Sequence, residues 1–208
     1  MSVDQAAKLS TLLERLGRDY PDIQASPAVP SIDPDEPLLA EFVRSMMLWE
    51  CTQPKAAAAM KRLESQIVDF NELRVCIPRE LVRLIGETYP RAGERAERLK
   101  AALADLYSRA HAVTLKHLSD MGKREVKSYL ETLNGVPSFV AARVALLFLG
   151  NHSMPMDSRS LRVLIEASVV PEGETIESAA SLLERKIREG ELALAYLRLQ
   201  ARSDELKF

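Results

Sequence analysis

The feature that most constrains the fold of this chain is the helical spacing of its apolar residues, which recurs along most of its length. Runs with this spacing include Leu38, Leu39, Phe42, Val43, Met46 and Met47, and later Leu99, Leu103 and Leu106. Residues three or four positions apart lie on one face of an α-helix. Alternation of apolar and polar residues, which is typical of a half-buried strand, is hard to find. The sequence therefore predicts an all-α protein.

Proline, glycine and capping residues divide the chain into many short helices. We predict helices over residues 2–17, from about residue 37, and over 54–66, 78–88, 91–107, 123–133, 138–150, 158–167, 175–189 and 191–201. The prolines at 27, 30, 34 and 37 predict an extended linker over residues 24–36. There is no internal repeat and no long heptad pattern, so we expect a compact orthogonal bundle.

The charges of the chain nearly balance, which limits how it could bind nucleic acid. It has 28 Lys and Arg against 30 Asp and Glu, a formal net charge of −2, so bulk positive charge does not drive such binding. From Arg91 to Arg162, however, 12 basic residues stand against 7 acidic ones, a local balance of +5. This excess of basic residues is consistent with a local surface that binds nucleic acid. Alternatively, the basic side chains form exposed ion pairs with glutamates such as Glu94, Glu97 and Glu125.

The cysteine content and the hydropathy pattern exclude other classes of protein. Cys51 and Cys76 stand far apart, and a cysteine-ligated zinc site or iron–sulfur cluster takes about four ligands. We therefore predict no metal and no cofactor. The N-terminus does not resemble a signal peptide, and Val144–Leu149 is far shorter than the roughly 20 residues of a membrane span. We expect a cytoplasmic protein with no membrane partner.

The segment from Arg124 to Leu149 predicts two helices joined by a tight hairpin. Apolar residues share one face of the first helix, Asn134-Gly135 ends it, and the second helix is almost entirely apolar. Such a turn leaves backbone N–H groups at the start of the second helix, where the helix dipole adds partial positive charge. It predicts a binding site for an anion such as a DNA phosphate.

A second motif follows this helix after a short loop. It reads Met154-Pro155-Met156-Asp157-Ser158-Arg159-Ser160-Leu161-Arg162-Val163, with Asp157 where a helix N-cap belongs. The order L-x-x-L-x-G-V, four residues, Ala, an apolar helix, a polar loop and P-x-D-x-x-x-x-R-V resembles the helix-hairpin-helix DNA glycosylase superfamily, and within it the endonuclease III branch. The resemblance extends over most of the chain, because residues 12–21 and 37–61 resemble the first three helices of that family.

The resemblance implies a two-lobed orthogonal helical bundle whose lobes are discontinuous in sequence. Residues 35–155 would form a middle bundle that contains the hairpin, and residues 1–34 would pack with residues 156–208 in the second lobe. Asp157 would be the catalytic carboxylate, which stabilises the positive charge that develops on the sugar or helps to position water. Because the aspartate of the family also lies at a helix start, a simple capping role for Asp157 stays open.

The resemblance also implies which residues would contact double-stranded DNA. In the hairpin they are Asn134, Gly135, Val136, Ser138 and Phe139, and around the hairpin and Asp157 they are Arg124, Lys127, Arg143 and Arg159. Glu50 lies at the position of the glutamine with which endonuclease III fills the gap left by a flipped-out nucleotide, although phosphates would repel its carboxylate. The neighbouring Trp49 would either stack on a base or belong to the core.

Three features depart from the family pattern. Phe139 stands where bifunctional members carry the lysine that attacks the sugar, so lyase activity by a Schiff base is not expected. Pro137 replaces the second glycine of the hairpin and removes one N–H donor, so weaker binding of DNA is expected. The four cysteines of the cluster-bearing relatives have no counterpart after the last predicted helix, so no iron–sulfur cluster is expected.

The sequence leaves three functions open. The first is a monofunctional DNA glycosylase of base-excision repair, acting on damaged or abasic double-stranded DNA and associated with the nucleoid. The second is a non-catalytic DNA-binding or scaffold protein that kept the fold and lost the chemistry, which Phe139, Pro137 and Glu50 favour. The third is an unrelated α-helical interaction module. Its partner-binding stripe would be Leu192, Ala195, Tyr196 and Leu199, which also fits a core.

Overall fold

The structure is a computed structural model that describes residues 3–24 and 32–206. The helices are α1 (Val3–Asp19), α2 (Pro37–Leu48), α3 (Gln53–Gln66), α4 (Phe70–Val75), α5 (Pro78–Ile85), α6 (Ala92–Ala110), a 3-10 helix (Lys116–Asp120), α7 (Lys123–Glu131), α8 (Ser138–Phe148), α9 (Ser158–Glu166), α10 (Ile176–Lys186) and α11 (Glu189–Asp204). The described part of the chain contains no strand, so the predicted fold class is confirmed. None of its helices is long and apolar enough to cross a bilayer.

The helix bounds differ from the predicted ones where local chemistry overrides apolar spacing. Helix α4 was not predicted, because six residues are too few to show a period, but Asp69 caps it by accepting a hydrogen bond from the Glu72 N–H at 2.7 Å. Helix α5 ends at Ile85 instead of near Thr88, because Gly86 follows with a left-handed φ of 105°. Most of the predicted linker, residues 25–31, lies outside the described residues.

The chain divides into two compact units. The first combines Met1–Pro27 with His152–Phe208, and the second is Ala28–Asn151. In the first unit, α11 packs against α1 and α9, and α9 also contacts α10. Leu192, Tyr196 and Leu199 of α11 are at most 2% exposed. The stripe that could have bound a partner protein is therefore core, which removes the sequence feature that favoured an unrelated interaction module.

The second unit is built around α2, which packs against α3, α6 and α8. Almost the whole of α2 is buried, and its Leu39, Phe42 and Met46 side chains are completely inaccessible to solvent. This explains its high apolar content, since a helix that is apolar all round has neighbours on every side. Helix α8, the second helix of the predicted hairpin motif, is nearly as apolar and is buried along most of its length.

An ion pair is buried between α2 and α8. The Arg143 guanidinium contacts the Glu41 carboxylate and donates a hydrogen bond to Ser45 Oγ at 2.9 Å. Arg143 is 1% exposed and Glu41 is inaccessible to solvent. Glu41 also lies 3.8 Å from Arg44 Nε. A buried pair fixes the register of the two helices, because any slip would leave a charge without its partner in a medium of low dielectric.

Removing one side of this pair is expected to destabilise the protein strongly. Arg143→Met leaves the Glu41 carboxylate without its main counter-charge, and a loss of about 3–5 kcal/mol in the free energy of unfolding is expected in urea denaturation. The double variant Glu41→Leu/Arg143→Met should recover most of that loss. As a control, Arg162→Met disrupts the exposed Arg162–Glu166 pair of 3.2 Å and should change the stability by about 0.5 kcal/mol or less. Similar small losses for both single variants would contradict a structural role for the buried pair.

Candidate functional site

The hairpin predicted at Asn134–Phe139 lies in the connection between α7 and α8, residues 132–137, and at the start of α8, and side chains of α6 hold this connection. Asp105 Oδ2 accepts a hydrogen bond from the Asn134 N–H at 2.9 Å. Arg109 donates to the Thr132 carbonyl at 2.7 Å and pairs with Asp105 at 2.8 Å. The hydrogen bond from Arg109, together with the Asn134 N–H, holds the pKa of the Asp105 carboxyl below its usual value. The Asn134 N–H is therefore committed to the protein and does not donate to a phosphate.

Gly135 brings the hairpin into direct backbone contact with α6. Its φ is 76°, and a Cβ at this position would lie 2.8 Å from the Arg98 carbonyl oxygen and 3.1 Å from the Arg98 Cα. In addition, the Arg98 Nη1 donates to the Gly135 carbonyl at 3.3 Å. Only glycine fits both the left-handed conformation and the close approach. Packing against α6 is therefore sufficient to require glycine at position 135, independently of any contact with DNA.

Part of the predicted DNA-binding set lies at the surface of the second unit. Asn134, Ser138, Arg124 and Lys127 are exposed, and Gly135 and Val136 are half-buried. Lys127 lies 3.9 Å from Glu131, a contact that is too exposed to hold it firmly. Pro137 is the N-cap of α8, and its side chain makes no capping hydrogen bond. The hairpin therefore presents polar groups at the start of a helix, and their contact with DNA stays a prediction.

Three other members of the predicted DNA-binding set are buried. Phe139 and Arg143 are each 1% exposed, and Arg159 is 9% exposed. Arg143 belongs to the ion pair with Glu41, and Arg159 Nη2 donates to the Ser203 carbonyl at 2.7 Å. All three side chains fill the interior and the two guanidinium groups make their contacts there, which speaks against a role in holding DNA; such a contact stays a prediction.

Asp157 caps α9, as its position in the sequence predicts. Its Oδ1 accepts a hydrogen bond from the Ser160 N–H at 2.9 Å, and the residue is only 1% exposed. The loop before it is fixed to α10, since Glu184 Oε1 accepts from the Met154 N–H at 2.8 Å and the Glu184 carbonyl lies 2.6 Å from His152 Nε2. No pattern in the sequence indicates this role for Glu184. The result is a carboxylate held in one orientation within the first unit.

Glu50 follows α2 and is half-buried. It adopts a left-handed φ of 53°, which is unusual for a residue with a Cβ. It lies near the buried guanidinium of Arg95, whose pKa is lowered mainly by burial; Tyr89 and Cys51, and to a smaller extent the Glu50 carboxylate, act in the opposite direction. Sequence reasoning missed Arg95, although its position between Ala92 and Leu99 on the apolar face of α6 was a signal. The role of Glu50 in filling a gap in DNA stays a prediction.

The contact at Gly135 predicts a specific loss of stability on substitution. Gly150 also has a positive φ, of 62°, but a Cβ there would meet nothing within 4 Å. Gly150→Ala should therefore cost only the backbone strain of about 1–2 kcal/mol. Gly135→Ala adds a collision with α6 and should cost at least about 1 kcal/mol more in the free energy of unfolding. Equal losses for the two variants in urea denaturation would show that the hairpin does not approach α6 this closely.

The hydrogen bond to Asp105 predicts a pH-dependent signal at the hairpin. The amide proton resonance of Asn134 should titrate with a midpoint below 3.8, the ordinary value for aspartate, and Asp105→Asn should abolish this titration. Because the pKa in the folded protein is lowered, the stabilisation is fully present above the unfolded pKa and is lost as the pH falls through the folded one. The stability difference between the wild type and Asp105→Asn should accordingly shrink below about pH 4. An Asn134 resonance that is insensitive to pH would exclude this bond.

Comparison with known proteins identifies the fold. No protein-family model and no curated protein sequence matches the chain. Among solved structures, a non-covalent endonuclease III–DNA complex is similar with a TM-score of 0.71 and 14% identity, covering 94% of this chain and 84% of that one. A thermostable thymine-DNA glycosylase is similar with a TM-score of 0.65 and 17% identity, covering 96% of this chain and 88% of that one.

A third solved structure, MBOgg1 in complex with a low-affinity DNA ligand, is similar with a TM-score of 0.68 and 19% identity, covering 99% of this chain and 71% of that one. At these low sequence identities, structural similarity establishes the fold and not the activity. The resemblance inferred from the hairpin and the Asp157 motif is therefore confirmed for the fold. The chain has the fold of the helix-hairpin-helix DNA glycosylases.

Proposed function

We propose that the protein is a monofunctional DNA glycosylase that releases a damaged base from double-stranded DNA, as in base-excision repair. The observation that carries the proposal is Asp157, a carboxylate fixed at the start of α9 in a chain with the fold of DNA glycosylases. The surface position of the hairpin residues Asn134 and Ser138 supports it further. The similar solved structures include proteins in complex with DNA.

The role proposed for Asp157 is electrostatic. When the bond between C1′ of the sugar and the base nitrogen breaks, the base leaves with the electron pair and positive charge develops on the sugar. A fixed carboxylate stabilises that charge, a water molecule then adds to C1′, and the proton that this water loses is taken up, directly or through solvent, by the departed base. The backbone N–H of Ser160 orients the carboxylate, so no reorganisation is needed as the charge develops.

The identity of residue 139 determines the product. Phe139 has no amine and is 1% exposed, so it forms no Schiff base with the sugar. The proposed reaction therefore ends at an abasic site with an intact strand. Cleavage of the strand would need a separate chemical or enzymatic step.

The groups proposed to hold the DNA are the exposed ones around the hairpin. Arg124 and Lys127 supply positive charge from α7, and the polar side chains of Asn134 and Ser138 lie at the start of α8. Contacts of this kind to phosphates position the duplex without reading its sequence. Because few charges contribute and Pro137 lacks an N–H, the affinity is expected to be modest and to fall with salt.

A non-catalytic DNA-binding role is the second candidate. Phe139 and Pro137 favour it, since both replace residues that active relatives use, and Asp157 is also fully explained as a helix cap. This candidate retains binding to DNA and predicts no base release from any substrate. The experiment below separates the two.

The central test of the proposal is base release by variants of Asp157. The wild type is incubated with end-labelled duplexes that each contain one oxidised, alkylated, deaminated or mismatched base, and the strands are separated before and after hot alkali. At least one duplex should be cleaved only after alkali. Asp157→Asn should lower this release about 100-fold or more while keeping the cap, since asparagine caps as well as aspartate.

A cap on a neighbouring helix provides the matched control. Thr175 caps α10 by accepting a hydrogen bond from the Ser178 N–H at 3.1 Å. Thr175→Ala should cost about 1 kcal/mol of stability and leave base release unchanged. Binding without release by the wild type would contradict glycosylase activity and favour the non-catalytic candidate. Trapping of a covalent adduct with borohydride would contradict the monofunctional mechanism.

A further inference from the structure

Asp157 follows a loop that is buried although it has no regular secondary structure. Residues 152–157 lead into α9 and belong to the first unit. Ser153, Met154 and Met156 are buried, as is Asp157 itself. Loops usually lie at the surface, because the N–H and carbonyl groups of a buried loop need partners within the protein. The position of Asp157 therefore depends on the groups that bind the backbone of this loop.

Glu184 of α10 binds the loop at two points. Its Oε1 accepts a hydrogen bond from the Met154 N–H at 2.8 Å. Its carbonyl oxygen lies 2.6 Å from His152 Nε2, and since a carbonyl oxygen can only accept, this nitrogen is the donor. Both contacts lie within the first unit. One residue of α10 therefore holds two residues of the loop, one through its main chain and the other through its side chain.

The place of Glu184 in its helix explains why it can make both contacts. Helix α10 ends at Lys186, so the Glu184 carbonyl is among the last four, which have no partner within a helix. His152 supplies the missing donor. A carboxylate so close to a helix C-terminus is unfavourable for the helix, because that end carries partial negative charge. The Glu184 carboxylate therefore stabilises the loop and not α10.

The segment between this anchor and Asp157 is short and stiff. Only Pro155 and Met156 separate Met154 from Asp157, and three residues span at most about 10 Å. The proline ring fixes its own φ and restricts the residue before it to extended conformations. On the other side, the Asp157 Oδ1 accepts from the Ser160 N–H at 2.9 Å. A displacement at Met154 is therefore passed on to the Asp157 carboxylate.

We propose that Glu184 is a positioning residue for base release, which places the Asp157 carboxylate by accepting the hydrogen bond from the Met154 N–H. The proposal rests on the proposed function, because Asp157 is the group that acts on the sugar. Glu184 takes no part in breaking the bond to the base. A displacement of about 1 Å at a catalytic group can lower a rate about 100-fold. What matters at position 184 is therefore the reach of the side chain and its acceptor oxygen.

Three substitutions of Glu184 separate reach and acceptor from charge. Glu184→Leu removes the acceptor, Glu184→Gln keeps the acceptor and the reach without the charge, and Glu184→Asp keeps the charge but is one methylene shorter. Base release is measured under single-turnover conditions on the duplex that the wild type cleaves after alkali. The rate should fall about 10- to 100-fold in Glu184→Leu and Glu184→Asp. It should stay within about 3-fold of the wild type in Glu184→Gln, which still makes the hydrogen bond.

Binding of DNA provides the first internal control. Glu184 lies in the first unit, whereas the hairpin residues proposed to hold DNA lie in the second. The affinity for the same duplex with a fluorescein label, measured by anisotropy, should therefore be unchanged in all three variants. A loss of rate without a loss of affinity is the result expected from a misplaced catalytic group.

The amide resonance of Ser160 provides a readout that does not need activity. It reports the hydrogen bond to Asp157, so Glu184→Leu should shift or broaden it and Glu184→Gln should leave it near its wild-type position. Glu177 is a matched control, because it is an exposed glutamate of the same helix. Glu177→Ala should change neither the rate of base release nor the Ser160 resonance.

The outcomes separate this proposal from the proposed function. An unchanged Ser160 resonance in Glu184→Leu, or base release by this variant at the wild-type rate, would overturn the positioning role. Equal losses in Glu184→Gln and Glu184→Leu would also overturn it, because charge would then be the required property. If the wild type releases no base from any duplex, the proposed function fails, and the Ser160 resonance alone decides whether Glu184 positions Asp157. If Glu184→Leu does not fold, the comparison of Glu184→Gln with Glu184→Asp decides the question.

Discussion

The contact between the hairpin and α6 is the interaction on which the candidate DNA-binding surface depends. At Gly135 the two backbones touch, and Asp105 and Arg109 bind the N–H and carbonyl groups on the N-terminal side of that glycine. Arg95, on the same helix, binds the end of α2 that carries Trp49. One helix therefore positions both the hairpin and the end of α2, and neither can move without breaking buried or charge-assisted hydrogen bonds.

Much of the fold could be predicted from the sequence, because its helices are amphipathic and their ends carry recognisable residues. Asp157 and Thr175 begin α9 and α10 as N-caps, and Pro37 begins α2. The prediction was wrong where a helix was too short to show a period, as in α4, or where one glycine ended it early, as at Gly86. The spacing of apolar residues predicts which face of a helix is buried, whereas local hydrogen bonds and backbone conformation determine where the helix begins and ends.

The candidate site was predicted less well, because a list of basic residues does not reveal which are buried. Arg143 was assigned to DNA, yet it pairs with Glu41 inside the second unit. The sequence does carry a signal of burial, because Glu41, Arg95 and Arg143 all fall on the apolar faces of their helices. A charged residue at such a position indicates an internal partner at least as strongly as a ligand. Asp157 also has an internal partner, since it is buried and caps α9 by accepting a hydrogen bond from the Ser160 N–H, and its proposed catalytic role depends on the orientation that this bond gives.

We propose that this chain holds double-stranded DNA through the hairpin of a glycosylase fold and distinguishes a lesion from an intact base. The affinity for a duplex with an abasic-site analogue, measured beside that for the same duplex undamaged at low and at moderate salt, tests this proposal. We expect tighter binding of the abasic duplex at both salt concentrations, with affinity for both duplexes falling as salt rises. Equal affinity for the two duplexes, or no binding at low salt, would contradict it.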